Sequence, residues 1–286
     1  MDKQETIVAI IYDFDKTLCD KDMQEYSFIP DFGMNPDDFW KETDRFVKDE
    51  KMDKILGCMY MLLKKSKENN ISVTKEYLRS LGTDINYFPG VTTWFERINE
   101  YGSKLGLKIE HYIISSGLRE IIKGTSINKY FKEIYACEFL YDNKGEAIWP
   151  KLSVNYTAKT QFISRINKGV LDISNDNELN KKMLDEERRI STKNMIYLGD
   201  GFTDIPSMRM IRENGGYSIA VYQNNDKRIA QNLLSDNRID FYAEASYIEG
   251  SEIELLLKNI LTKITIKTNL KNFHNAQLEE IEKNKI

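Results

Sequence analysis

The sequence predicts an α/β fold: a parallel sheet with helices on both faces, interrupted once by a helical insert. Three observations predict it. Short apolar, β-branched-rich runs such as Ile7–Tyr12 alternate with segments of helical periodicity. Two such runs end in clustered acids, Asp13 and Asp15 after one, Asp200 and Asp204 after another. Residues 20–88 carry helical spacing and no strand pattern. The chain's 286 residues suffice for one core domain with a smaller companion.

Ile7–Tyr12 is short and continuous, the pattern of a strand buried on both faces. Residues 20–88 then place Phe39, Phe46, Ile55, Met59, Leu62 and Leu63 at helical spacing, and "TKEYLRSLG" ends at Gly82, where a helix stops. "YFPGV" is turn punctuation, and "TTWFERINEYGSKLG" reads as a helix. "KIEHYIISSG" is a second buried strand, followed by the helical "LREIIKGTSI" and a hairpin around Asn143–Gly145. "TAKTQFISRINKG" is a helix with Thr157 as its expected N-cap and Gly169 as its stop. Residues 172–194 are a charged excursion, expected to be exposed. "NMIYLGDG", "YSIAVY" and "IDFYAEA" supply further strands, and the polar C-terminus reads as helical or frayed. The expected division is a core of residues 1–19 and 89–262, a helical insert of 20–88 and an extension of 263–286.

Composition excludes several classes. With 41% apolar and 30% charged residues, the chain has a soluble globular profile. A formal charge of −4 without a basic stripe argues against nucleic acid as a main partner. No apolar run approaches the roughly 20 residues that cross a bilayer, and no signal peptide is visible, so a cytoplasmic protein is expected. Cys19, Cys58 and Cys137 are scattered, which suits a reducing compartment, and Cys19 reads as apolar filler. His111 and His274 have no partner spacing and read as structural. Nothing in the sequence sets the oligomeric state.

The acids carry the chemistry. In parallel sheets, ligands bind beyond the carboxyl ends of the strands. If both acid-tipped strands are central and parallel, their acids, Asp13 and Asp15 with Asp200 and Asp204, converge; the alternative is ordinary loop carboxylates on separate surfaces. Two such charges about 4 Å apart repel by roughly 4 kcal/mol at an effective dielectric of 20. Convergence therefore calls for a cation or for protonation. Oxygen ligands without His or Cys suit Mg²⁺ and argue against zinc. Ser115, Ser116 and Gly117 precede a helix, where they form either an N-cap or a cradle for an oxyanion. Lys159 lies in a first helical turn, against the helix dipole, and shares a face with Phe162 and Ile163. It either meets carboxylates and phosphate at the strand ends or snorkels past the helix start.

"DFDKT" (Asp13–Thr17), "IISSG" (Ile113–Gly117), Lys159 and "GDGFTD" (Gly199–Asp204) together resemble, in order, the four motifs of the haloacid dehalogenase-like (HAD) superfamily, and most closely its phosphatases of the phosphoserine phosphatase type. The resemblance implies a Rossmann-like three-layer core, with residues 20–88 as an all-helical type 1 cap. It implies Asp13 as nucleophile, Asp15 as acid/base and Lys159 as the group steadying nucleophile and phosphoryl charge. Thr17, Ser115, Ser116 and Gly117 would form the phosphate-binding set. Mg²⁺ would be held by the Asp13 and Asp200 side chains and the Asp15 carbonyl, with Asp204 supporting that shell. The implied activity is Mg²⁺-dependent hydrolysis of a small phosphorylated metabolite through an aspartyl phosphate. Phosphotransfer through the same intermediate, or a silent phosphate-binding regulator, are the alternatives. "DKT" also resembles the nucleophile motif of ion-pumping ATPases, but Leu18 and Cys19 stand where Gly and Thr would be needed. Asp15 favours phosphoryl transfer over dehalogenation. Phosphoserine phosphatases carry a Glu for the substrate amine, whereas Asp22 here is one methylene shorter.

Overall fold

A computed structural model describes residues 5–283; residues 1–4 and 284–286, at the ends of the expected core and extension, lie outside them. Seven strands form one sheet among the described residues: β1 (Thr6–Tyr12), β2 (Leu107–Leu118), β3 (Phe131–Tyr141), β4 (Ala147–Leu152), β5 (Met195–Gly199), β6 (Tyr217–Tyr222) and β7 (Phe241–Glu244). Their spatial order is β4-β3-β2-β1-β5-β6-β7. All neighbours pair in parallel except the β3–β4 hairpin, whose turn is made at Gly145 with φ +84°. Val8 through Tyr12 are fully buried, so β1 is covered on both faces, as its unbroken apolar run predicts. The result is the α/β, Rossmann-like architecture expected.

The chain runs outward from β1 through β2 and β3 on one side and through β5, β6 and β7 on the other. The order therefore reverses between β1 and β5, the point at which a parallel sheet opens a crevice at its carboxyl edge. Register keeps that edge level: Tyr12 stands opposite both Ile113 and Leu198.

Between β1 and the helix that precedes β2 lie α1 (Phe28–Asp31), α2 (Pro36–Glu50), α3 (Lys54–Glu68) and α4 (Lys75–Leu81), with no strand. Phe39, Met59 and Leu62, three of the residues at helical spacing, are buried. The chain leaves and re-enters the core at one place, where Phe88 N–H donates to the Leu18 carbonyl (3.0 Å). Arg79 on α4 pairs with Glu120 (2.7 Å), and Ala147 N–H donates to the Val73 carbonyl (2.9 Å), so the insert also leans on the core and on the β3–β4 hairpin.

The remaining helices are α5 (Val91–Lys104), α6 (Arg119–Gly124), α7 (Lys159–Lys168), α8 (Asp176–Asn180), α9 (Ile205–Glu213), α10 (Arg228–Ser235) and α11 (Glu252–Lys283). Residues 172–194 are largely exposed, but their backbone is pinned. Buried Arg165 donates to the carbonyls of Asp172 (2.7 Å) and Ile173 (2.9 Å), and Arg189 pairs with Glu110 on β2 (2.5 Å). The expected boundary after residue 262 falls inside α11, which is continuous; its buried residues end at Ile264.

Candidate active site

β1 and β5 deliver the acids. Asp13 N–H donates to the Leu198 carbonyl (2.9 Å), extending the ladder one residue beyond β1 and fixing the acid beside β5. Phe14 N–H donates to Asp13 Oδ1 (2.7 Å), and Lys159 Nζ lies 2.9 Å from Asp13 Oδ2. The same ammonium donates to Asp204 Oδ1 (2.7 Å), which also accepts from the Tyr197 hydroxyl (2.7 Å). Lys159 is fully buried at the first residue of α7, on the face shared with Phe162 and Ile163, so it meets carboxylates and does not snorkel.

One carboxylate oxygen each from Asp13, Asp200 and Asp204 lies within 4.8 Å of the others. Burial, then the neighbouring Asp204 charge, pushes the Asp13 carboxyl up to about 7 against the pull of Lys159. Burial, followed by the Asp13 charge, raises Asp200 to about 7 as well. Burial and the Asp22 and Asp13 charges raise Asp15. These groups repel one another, and Lys159 and Lys16 do not offset burial and that repulsion. Asp200 takes no hydrogen bond among the described residues, and buried Asp204 Oδ2 has no partner. A hard divalent cation fits this donor set, because every donor is oxygen. Gly199 makes room: a Cβ there would lie 2.4 Å from Asp204 Oδ2.

Asp15 leaves Asp13 on the side facing the insert. Its Oδ1 accepts from Met23 N–H (2.8 Å) at the entry to the insert. A Cβ at Gly117 would meet Met23 at 2.1 Å and Asp15 Oδ2 at 2.9 Å, so this glycine admits the acid from below. The second-motif hydroxyls are placed differently from a helix cap. β2 continues through Ser115–Gly117 to Leu118, and α6 spans only Arg119–Gly124. Ser115 Oγ accepts from Gly117 N–H (3.0 Å), and Ser116 Oγ donates to the Val154 carbonyl (2.7 Å). Ser116 lines the cavity; Thr17 is fully buried, its hydroxyl without a partner.

A cavity of about 330 Å³ stands over Asp13, Asp15 and Asp200. Ile55, Cys58, Met59 and Leu62 of α3 and Trp40 of α2 form its roof. Asp22 lines it too, but already pairs with Lys16 (2.6 Å). Three contributors escaped the sequence reading. Tyr197 binds Asp204; a tyrosine in an aliphatic buried strand signals a hydrogen-bond partner. Gln24 is buried in the cavity wall with no hydrogen bond from its amide among the described residues, and nothing in its sequence context marks it. Asn155, not Thr157, caps the start of α7: its Oδ1 accepts from Ala158 N–H (2.9 Å). Its Nδ2 donates to Asp53 Oδ2 (3.0 Å), while Asp53 Oδ1 caps α3 by accepting from Ile55 and Leu56 N–H (3.0 Å each). The helix holding Lys159 and the helix roofing the cavity are thus tied end to end.

The Rossmann-like sheet thus sets Asp-x-Asp at its switch point, with a lysine bridging it to a second acid cluster. Comparison with known proteins gives the family. A family model described as Putative Phosphatase matches residues 8–239, and the chain belongs to that family. An uncharacterized protein of Borreliella burgdorferi is 30% identical over 280 residues, covering 88% of this chain and 96% of its own. A HAD family hydrolase of Salmonella enterica serovar Typhi shares the fold with a TM-score of 0.55 at 18% identity, over 88% of this chain and 70% of that one. A phosphoserine phosphatase in its apo form gives a TM-score of 0.55 at 15% identity, over 88% and 98% of the two chains.

Proposed function

We propose that this protein hydrolyses a small phosphomonoester, with Mg²⁺, in two steps through a phosphorylated Asp13. The observation that carries the reading is Asp13 itself. It is held in one orientation by Phe14 N–H and Lys159, at the floor of the cavity, with Asp15 two residues on and free to face a substrate. In the first step an Asp13 oxygen bonds to phosphorus and the ester P–O bond breaks. Asp15 gives its proton to the departing alcohol oxygen. In the second step water attacks phosphorus, Asp15 takes its proton, and the P–O bond to Asp13 breaks, releasing phosphate. The raised Asp15 carboxyl supports its role as proton donor. Lys159 favours the ionised form of Asp13, against burial and the Asp204 charge, and offsets phosphoryl charge. Asp13, Asp200 and the Asp15 carbonyl would hold the metal, with Asp204 behind them; bound there, it neutralises charge on the transferring group.

The helical insert acts as a cap that limits the substrate to a small molecule. Asp22 is matched by Lys16, so a substrate ammonium finds no uncompensated acid at the position that departs from the phosphoserine phosphatase pattern. The Gln24 amide is a buried polar group of the wall without a hydrogen bond among the described residues, placed to contact the alcohol portion. The test is release of phosphate from an aryl phosphate with and without Mg²⁺, for the native chain and for Asp13→Asn. Metal-dependent release that disappears in the variant supports the reading; release that survives Asp13→Asn refutes it.

A further inference from the structure

Tyr247 stands far along the chain from the acids of β1, yet its hydroxyl donates to the Thr17 carbonyl (2.7 Å), inside the turn that follows Asp13. Its side chain is fully buried. Among the described residues no other group donates to that carbonyl. The segment that carries the tyrosine, between β7 and α11, is clamped. Tyr247 N–H donates to the Pro89 carbonyl (2.7 Å), and Arg97 of α5 donates to the Tyr247 carbonyl while pairing with Glu254 of α11 (3.0 Å). Trp94, also of α5, packs edge-on against the ring, with 5.1 Å between centroids.

What this anchored hydroxyl meets is the turn that presents Asp15. Leu18 N–H donates back to the Phe14 carbonyl (2.9 Å), closing the chain around Asp15, Lys16 and Thr17. Lys16 holds φ +56°, in the left-handed region that residues other than glycine rarely adopt. Such a conformation persists only where its surroundings over-determine it. The two acids of the first motif are therefore held by different means. Asp13 is fixed through the Leu198 carbonyl, Phe14 N–H and Lys159, none of which involves Tyr247. Asp15 has Met23 N–H on its carboxylate, and its backbone rests on the turn.

We infer that Tyr247 is a positioning residue: it holds the turn that aims Asp15 at the departing alcohol and leaves the nucleophile untouched. This role rests on the proposed function, in which Asp15 protonates that alcohol. Its signature is a defect that depends on the leaving group. An alkoxide leaves with a proton from Asp15, whereas a nitrophenolate leaves without one.

The measurement is kcat/KM, with Mg²⁺, over a series of phosphate esters from nitrophenyl to alkyl. This ratio reports phosphoryl transfer to Asp13 and excludes the later hydrolysis that all the esters share. Tyr247→Phe keeps the ring on Trp94 and removes the hydroxyl. Its kcat/KM should fall about tenfold on the alkyl ester, part of what a general acid contributes, and stay within about twofold of native on the nitrophenyl ester. Arg97→Met loosens the same segment without touching the bond to Thr17, so it should change every ester by one common factor. On the alkyl ester, adding Tyr247→Phe to Asp15→Asn, a chain with no proton to give, should cost nothing further. The inference is overturned by an equal loss across the series, by no loss, or by a Tyr247→Phe chain without native circular dichroism. It is overturned as well by Arg97→Met reproducing the leaving-group dependence, or by a further several-fold loss in the Asp15→Asn chain. Those results leave the proposed function standing. A native chain that releases no phosphate, or an Asp15→Asn chain as fast as native on alkyl esters, overturns that function and the role of Tyr247 with it.

Discussion

Replacing Lys159 by methionine keeps the side chain's length and removes the charge that Asp13 and Asp204 share. Two buried carboxylates then lose their partner. We expect hydrolysis to fall by about 100-fold or more. Urea denaturation without divalent metal should show a loss of about 3 kcal/mol. Gln24→Leu has the opposite profile. It removes a contact to the alcohol portion and touches no reacting atom, so KM should rise about tenfold with kcat nearly unchanged. His111 behaves as the sequence implied, as a structural residue, but with a pH signature. Trp94 donates to the Tyr12 hydroxyl (2.9 Å), Tyr12 to His111 Nδ1 (3.0 Å), and His111 Nε2–H to Asn99 Oδ1 (3.0 Å). Burial lowers this imidazole from 6.5 to about 3. The unfolded chain takes up a proton below pH ~6.5 that the folded chain refuses. The stability associated with the neutral ring is therefore full above that pH and is lost as pH falls toward 3. Between pH 7 and 5 the loss is about 2 kcal/mol, at about 1.4 kcal/mol per pH unit. Denaturation of His111→Gln across the same range should show that part of the slope gone.

At the scale of elements, the capping of α3 and α7 by one hydrogen-bonded pair couples the roof to the catalytic lysine. Asn155→Ala removes the acceptor for Ala158 N–H and the donor to Asp53 together. Loss of a cap of this kind costs about 1 kcal/mol. Asn155→Asp keeps the acceptor and sets a second carboxylate against Asp53. If the tie between the helices matters beyond the cap, Asn155→Asp should retain more stability than Asn155→Ala yet raise KM at least as much. Parallel urea titrations and steady-state kinetics measure both. The sequence misplaced this cap because "NYTAK" offers two acceptors, Asn155 and Thr157, and only the path of the chain out of β4 decides between them. "KIEHYIISSG" reads as a strand, and β2 does run through it to Leu118, but its register with β3 breaks between Ile114 and Leu118, so Ser115–Gly117 lie in an irregular stretch that no sequence pattern shows. Strands buried on both faces were easy to read, since Val8–Tyr12 needs no alternation to declare itself. The exposed look of residues 172–194 was correct for side chains and silent about Arg165, whose burial no local pattern reveals.

For the whole molecule, the order of motifs along the chain was enough to forecast the sheet and the meeting of Asp13, Asp200 and Asp204, because strand ends at a switch point have only one edge to share. What no local pattern supplies is depth: the cavity arises where α2 and α3 lie across that edge, and Gln24 acquires meaning only there. No helix among the described residues is long and apolar enough to cross a membrane. All of the proposed chemistry rests on covalent attack by Asp13. Acid quenching during turnover of a substrate carrying labelled phosphate, followed by peptide mapping, tests that step directly. The expected result is alkali-labile label on the peptide containing Asp13, absent from Asp13→Asn. Label on another residue, or steady phosphate release from a chain that never carries label, would contradict it.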